Sequence, residues 1–297
     1  MLKEFKNQVA VVTGAGSGFG REFAMTAARR GMKLVLADIQ ADALARTAAT
    51  LNDMGVEFKT QVTDVGDFDQ VEALRDTCLS AYGVPQLLFN NAGVAKGGLL
   101  WEHGIADWEW VLRVNLWGVI HGVRAFVPAM VDADKPAHVV NTASVAGLLS
   151  APSLGIYNVS KHGVVTLSET LFHDLRMVKS AVGVSVLCPA FVPTGIDQSE
   201  RNRPEALASK EAETQSMKQA QALTSKAVKA GRITAPEVAQ TTFTAIEEDQ
   251  FYIITHDKIM DSVKLRLDDV AGRTNPTDPY SLKRDVAPKA GSGKESG

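Results

Sequence analysis

Short β-branched runs alternate with longer helix-patterned segments along most of this chain, and that alternation limits what it can fold into more than any other feature. The runs are Val9 to Thr13, Lys33 to Ala37, Val56 to Val62, Gln86 to Asn90, His138 to Thr142, Gly183 to Cys188 and Phe251 to Thr255. Helical patterns fill the gaps at about Gly18 to Arg30, Ala41 to Met54, Phe68 to Tyr82, Asp107 to Val131, Ile156 to Met177 and Pro236 to Glu248. Repeated strand-helix units predict an α/β fold, a doubly wound seven-stranded parallel sheet with helices on both faces, as a single domain over residues 1–286. Right-handed crossovers then gather the carboxyl ends of the strands on one edge, where ligands bind.

Two stretches leave the pattern. Gly195 to Arg232 is rich in Ala, Ser, Gln, Lys and Glu, too polar for a core, and is expected to form a helical lid over the substrate. Residues 287–297 end in Ala-Gly-Ser-Gly-Lys-Glu-Ser-Gly, with no apolar residues to bury, and are expected to be a flexible tail.

Charge excludes several functions. With 31 basic and 34 acidic residues the net charge is −3, which gives no electrostatic case for nucleic acid or an anionic membrane as partner. No stretch of 18 consecutive apolar residues occurs, and the N-terminus lacks a signal-peptide core. Cys78 and Cys188 each lie in apolar surroundings, which suits buried thiols in a reducing, cytoplasmic setting. The six histidines show no metal-binding spacing, so no metal is expected, and His103 is expected on the surface near the mouth of the site.

The segment Thr13 to Gly20 reads Thr-Gly-Ala-Gly-Ser-Gly-Phe-Gly, directly after an apolar strand and directly before a helix. Gly14, Ser17, Gly18, Phe19 and Gly20 there are candidates for binding a dinucleotide. Glycine allows backbone amides to approach a pyrophosphate, and the helix N-terminus offers unpaired N–H groups. The strict G-x-G-x-x-G spacing is not met, because Phe19 takes the last position. Asp38 follows the second strand, eighteen residues beyond Gly20, where an acid that accepts from ribose hydroxyls belongs. Its charge would repel a 2′-phosphate, and Ile39 and Gln40 supply no arginine to hold one, which favours NAD over NADP. The competing structural role for Asp38 is a cap on the helix from Ala41.

Tyr157 and Lys161 stand four residues apart and share a helix face. A cation at about 4 Å and an effective dielectric of ~20 is worth roughly 4 kcal/mol, or about three pKa units, enough to bring a phenol near neutrality as a general base. Ser144, at the end of the fifth strand, can hold a substrate oxygen. Taken singly, Ser144 reads equally as a turn cap, Asn115 as a backbone clamp and Tyr157 as a half-buried helical aromatic.

Together, Thr-Gly-x3-Gly-x-Gly, Asn90-Asn91-Ala92-Gly93, Asn115, Ser144 and Tyr157-x3-Lys161 resemble the short-chain dehydrogenase/reductase family over about residues 6 to 256. The resemblance implies a Rossmann-like fold and an oxidoreductase that moves a hydride between NAD(P) and an alcohol or ketone. It implies Asn115, Ser144, Tyr157 and Lys161 as the catalytic group, with Asn115 helping to hold a water that links Lys161 to solvent. It also implies that Asp64 and Val65 meet the adenine and that Asn91, Ala92 and Gly93 border the adenosine. Pro189, Val192 and Thr194 would pack on the nicotinamide, with Ala190 standing where the family has glycine. Family helices of this kind pair across subunits, so a homodimer or homotetramer is expected.

Walls expected from Val94 to His103, Val145 to Ile156, Phe191 and the lid include Leu99, Leu100, Trp101, Leu148, Leu149 and Leu154. Apolar walls suit a bulky hydrophobic secondary alcohol or ketone; the first two loops hold no arginine, which disfavours a carboxylate or phosphoester substrate, with Lys96 the exception. Two alternatives stay open: an NADP-dependent ketoreductase of the same fold, and a non-catalytic dinucleotide-sensing protein.

Overall fold

The strands read as unbroken apolar runs because both faces of the sheet are covered. In Val9–Thr13 (β1) every residue is buried, as in Leu87–Asn90 (β4) and Ala137–Thr142 (β5). Such doubly buried strands belong in parallel sheets. A computed structural model describes residues 2–209 and 211–282 of the chain. It shows one sheet in the order β3-β2-β1-β4-β5-β6-β7, completed by Lys33–Asp38 (β2), Phe58–Val62 (β3), Val182–Cys188 (β6) and Tyr252–Ile254 (β7). All six pairings are parallel. The expected tail from Ala287 lies outside the described residues.

The winding reverses between β1 and β4. The chain builds outward from β1 to β3, then returns to place β4 on the other side of β1, which opens a crevice above the carboxyl ends at that point. One face is covered by Gly18–Arg29 (α1) and Ala235–Glu247 (α8), where Phe23 stacks on Phe89 at 4.4 Å and Phe243 tilts against it at 5.7 Å. Ala41–Asp53 (α2) flanks them. The opposite face carries Phe68–Tyr82 (α3), Gly118–Asp132 (α5) and Gly155–Met177 (α6). Asp67 caps α3 by accepting from the amides of Asp69 and Gln70.

The single helix expected over Asp107 to Val131 is three pieces. Ile105–Leu112 (α4) runs into a π-helical turn at Arg113–Trp117 and then into α5. The rod from Ile105 to Asp132 is long and apolar enough by composition to cross a membrane, but here α5 packs on β4 and α3, and the π turn packs on α6.

The segment expected as a lid is helical only in part. Ile196–Asn202 and Glu205–Leu207 are 3-10 turns, and Gln215–Lys229 (α7) is its α-helix. After β7, Met260–Gly272 (α9) follows a short 3-10 turn. Cys78 and Cys188 are buried and unbridged, as expected.

Candidate functional site

A cavity of about 710 Å³ sits over the β1/β4 crevice and extends past the ends of β5 and β6. Sixteen of the residues singled out from sequence border it; Gly20 and Asn115 do not. Gly20 instead lies behind the loop, where a Cβ would come within 2.1 Å of the Gly14 carbonyl oxygen, so only glycine lets the turn close. Gly14 and Gly18 have φ of +68° and +50°, conformations that favour glycine.

The loop feeds α1 through Ser17, whose side chain makes no capping hydrogen bond. An uncapped helix end facing a cavity leaves amides free for an anion. Asp38 accepts from the amide of Gly16 at 2.8 Å with one oxygen and from that of Gln40 at 2.9 Å with the other. It therefore ties the glycine loop to the end of β2 and does not cap α2, whose N-cap residue is Gln40. Asp64 accepts from the Gly66 amide at 2.9 Å and pairs with Arg113 at 3.1 Å, a partner contributed by the π turn that spacing did not reveal.

Thr13 was overlooked as a site residue although it joins β1 to β4. Its hydroxyl accepts from the amides of Asn91 and Ala92 at 2.9 and 3.2 Å and donates to the Phe89 carbonyl at 3.2 Å. The available signal was a threonine ending an otherwise wholly apolar strand. Asn90 binds Asn141 across the sheet at 2.9 Å, and Gly122 of α5 lies so close to Asn90 that a Cβ would meet its Oδ1 at 1.9 Å.

Asn115 occupies the π turn and is fully buried. Its carboxamide accepts from the Val94 amide at 2.8 Å and donates to the Val94 carbonyl at 2.9 Å and to Ser160 at 3.0 Å. It is thus a backbone clamp; both its Oδ1 and the Lys161 Nζ border Gly93. Ser160, another residue not anticipated, passes the contact on to the Tyr157 carbonyl at 2.8 Å.

Ser144 caps the turn Val145–Gly147 by accepting from the Ala146 amide at 3.2 Å, and it donates to the Pro189 carbonyl at 3.3 Å. Tyr157 borders the same cavity, half-buried. The Lys161 Nζ lies 5.7 Å from the centre of the Tyr157 ring and donates to the Thr142 carbonyl at 2.8 Å.

The expectation that Lys161 draws the phenol toward neutrality is not met in this ligand-free arrangement. Burial pushes Tyr157 up to about 12, against a smaller opposing pull from the Ser144 hydroxyl. Burial also lowers Lys161 to about 8. The reason is geometric: the ammonium is turned to Thr142, and desolvation of the phenolate outweighs what the cation returns at that distance.

The outer walls also differ from expectation. Leu149, Leu154 and Phe191 line the cavity, but Leu99, Leu100, Trp101 and Leu148 do not. Leu100 packs over Gly155, and Trp101 is 79% exposed. Lys96 is engaged with Glu200 at 3.3 Å. His103 is buried, not superficial; it meets Asp107 at 3.4 Å, and Asp107 receives Arg203 of the lid at 2.7 Å. Burial opposes ionisation of Asp107, yet hydrogen bonds from His103 and Arg203 outweigh it and hold the carboxyl at about 2. Ala190 has no positive φ, so alanine is accommodated without strain.

Residues 8–205 match the short chain dehydrogenase family model. The chain is 33% identical over 258 residues to a CLA biosynthesis dehydrogenase/reductase of Lactiplantibacillus plantarum, covering 86% of this chain and 90% of that protein. It is 32% identical to the 1-deoxy-11-beta-hydroxypentalenate dehydrogenase of Streptomyces exfoliatus, covering 89% of each. A crystal structure of a short chain dehydrogenase/reductase from Burkholderia phymatum in complex with NAD superposes with a TM-score of 0.93 at 56% identity, over 95% of this chain and 100% of that one. With the glycine loop, the serine, tyrosine and lysine in family order around one crevice, and a family match across two thirds of its length, this oxidoreductase belongs to the short-chain dehydrogenases.

Proposed function

We propose that the protein interconverts a hydrophobic secondary alcohol and its ketone with NAD as cofactor. The carrying observation is that Ser144, Tyr157 and Lys161 border the same cavity as the uncapped end of α1 and the Asp38 carboxylate. The residues present fit a dinucleotide: free amides for the pyrophosphate, an acid for ribose hydroxyls, and the turn after β6 (Pro189, Val192, Thr194) to flank the nicotinamide. Asp38 disfavours a 2′-phosphate, and the NAD complex of the Burkholderia protein supports the same preference.

Bound NAD supplies the hydride acceptor in oxidation, and its reduced form the donor in reduction. The chain supplies the proton chemistry. Ser144 orients the substrate oxygen by rotating its hydroxyl away from Pro189, and Tyr157 exchanges the proton of that oxygen. Held protonated by burial, the phenol stands ready as the acid for ketone reduction. Acting as base in oxidation, it would draw on the Lys161 ammonium and on the positive charge that oxidised NAD would supply. Asn115 and Ser160 fix the turn of α6 that carries Tyr157. Leu149, Leu154 and Phe191 make the walls apolar. Free buried thiols fit a reducing compartment such as the cytoplasm.

The test is a panel of aromatic, polycyclic and aliphatic secondary alcohols with NAD, read by absorbance of the reduced cofactor. Turnover that falls about 10³-fold in Tyr157→Phe, with NAD affinity kept, supports the reading. Full NAD binding without reduction by any alcohol, or an unimpaired Tyr157→Phe enzyme, sinks it.

A further inference from the structure

One end of the cavity is lined by residues beyond the family match. His256, Lys258 and Ile259, which follow β7, and Pro279 and Tyr280, near the end of the described chain, all line it. The sheet order tells which end this is. β7 stands next to β6, at the side of the sheet opposite β2 and β3, where Asp38 and Asp64 await the adenosine. The segment after β7 therefore borders the substrate half, beyond Ser144 and Tyr157.

The chain reaches this position through a return strap. Arg273 ends α9 in the left-handed conformation (φ 56°, ψ 38°) and reverses the chain. Asp269 then clasps the returning segment: its carboxylate accepts from the Thr277 amide at 2.7 Å, the Thr277 hydroxyl at 3.1 Å and the Thr274 hydroxyl at 3.2 Å. Further along, buried Ser262 at the start of α9 donates to the Pro279 carbonyl at 3.2 Å. Asp278 accepts from the Tyr280 amide at 2.9 Å and tightens the last turn. Three separate anchors hold Pro279 and Tyr280 against the cavity, although neither belongs to a helix or strand.

Tyr280 is half-buried, and its hydroxyl makes no hydrogen bond among the described residues. Burial, then the charge of Asp278, raises its pKa, so it presents a neutral phenol. Tyr280 lines the same cavity as Phe191, Leu154, Val228 and Ile259. The lining is mostly apolar, with Arg201, Arg232 and Lys258 also bordering the cavity; an aromatic ring among these walls suits a substrate whose apolar body extends well past the carbinol.

Resting on the oxidoreductase reading above, we propose that Tyr280, held by the Asp269 clasp, is a specificity-determining residue that forms the outer wall of the substrate chamber and selects secondary alcohols with a bulky apolar body. The wall acts on the part of the substrate remote from the reacting carbon. Its loss therefore weakens binding of long substrates and leaves compact ones and the cofactor untouched.

A matched pair of alcohols, cyclohexanol and 4-phenylcyclohexanol, tests this with the full-length protein. Calorimetric binding of 4-phenylcyclohexanone to the NAD-loaded protein adds a readout that needs no turnover. In Tyr280→Ala, KM for 4-phenylcyclohexanol should rise about tenfold and the ketone should bind about tenfold more weakly, while kcat/KM for cyclohexanol and the Kd for NAD stay within about twofold. Tyr280→Phe should retain the wild-type preference. Asp269→Ala, which loosens the clasp from outside the chamber, should shift selectivity in the same direction by less. The proposal is overturned if Tyr280→Ala changes both alcohols alike, changes neither, weakens NAD in parallel, or if the wild-type protein does not bind the ketone. Ketone binding that depends on Tyr280 without turnover of either alcohol would overturn the oxidoreductase reading alone.

Discussion

Lys161 donates from Nζ to the Thr142 carbonyl oxygen across 2.8 Å, and this bond to the end of β5 fixes where the ammonium stands. The lysine is 2% exposed, and its pKa falls from 10.5 to about 8 because burial penalises the charge. The unfolded chain therefore holds more protons than the folded one between pH 8 and 10.5, and in that window stability rises with pH. Below pH 8 the buried ammonium costs on the order of 3 kcal/mol. In urea unfolding of the ligand-free protein, the wild type should gain about 2 kcal/mol relative to Lys161→Met between pH 7 and 9.5. A difference that stays flat with pH contradicts the assignment.

His138 gives the opposite end of the stability profile. It is wholly buried in β5, with Nε2 at 2.7 Å from the Ser185 hydroxyl, which itself donates to the Gln250 carbonyl at 2.7 Å. The serine proton is thus already committed, so Nε2 carries the imidazole proton and Nδ1 is bare. Burial lowers the histidine to about 3. Its contribution is complete above pH 6.5 and is lost as pH falls from 6.5 toward 3, by up to about 5 kcal/mol. His138→Gln should flatten the acid limb of a Tm-against-pH curve; an unchanged limb would place the acid sensitivity elsewhere.

Asp38 sets cofactor choice in the proposed reading. Replacement by Ala removes both the anchor of Gly16 and the repulsion of a 2′-phosphate. Calorimetry should show NAD affinity falling by about tenfold while NADP affinity holds or rises. Equal losses for both cofactors would assign Asp38 to loop stability only.

Assembly is testable from exposed apolar side chains. Trp117 at the π turn and Val159 on α6 are 52% and 49% exposed, and Ile105 on α4 is 80% exposed. Light scattering should give the mass of a dimer or tetramer, and Val159→Lys should shift it downward. A monomeric wild type refutes the expectation.

The sheet, its strands and the glycine loop were legible because buried parallel strands leave continuous apolar runs and tight backbone approach leaves glycines. Ser144, Tyr157 and Lys161 were legible as a family pattern, and their meeting at one cavity follows from the winding order. What escaped depends on contacts between distant residues. His103 looked superficial because its partners Asp107 and Arg203 lie on different elements, and the packing of the 195–232 segment buries them together. The state of Tyr157 escaped because an i,i+4 spacing gives proximity without saying which way an ammonium points. The strap escaped because Asp269 and Thr277 carry no pattern that announces a clasp.

The wide turn at Arg113–Trp117 does more than seat Asn115 and Arg113. Each residue of a regular α-helix advances the azimuth by about 100°, so a surplus residue in one turn resets the angular phase of everything downstream. Deleting one residue there would straighten the rod but swing Gly122 away from Asn90, presenting a bulkier neighbour where no Cβ fits. The count of residues through this turn is therefore as tightly constrained as their identity.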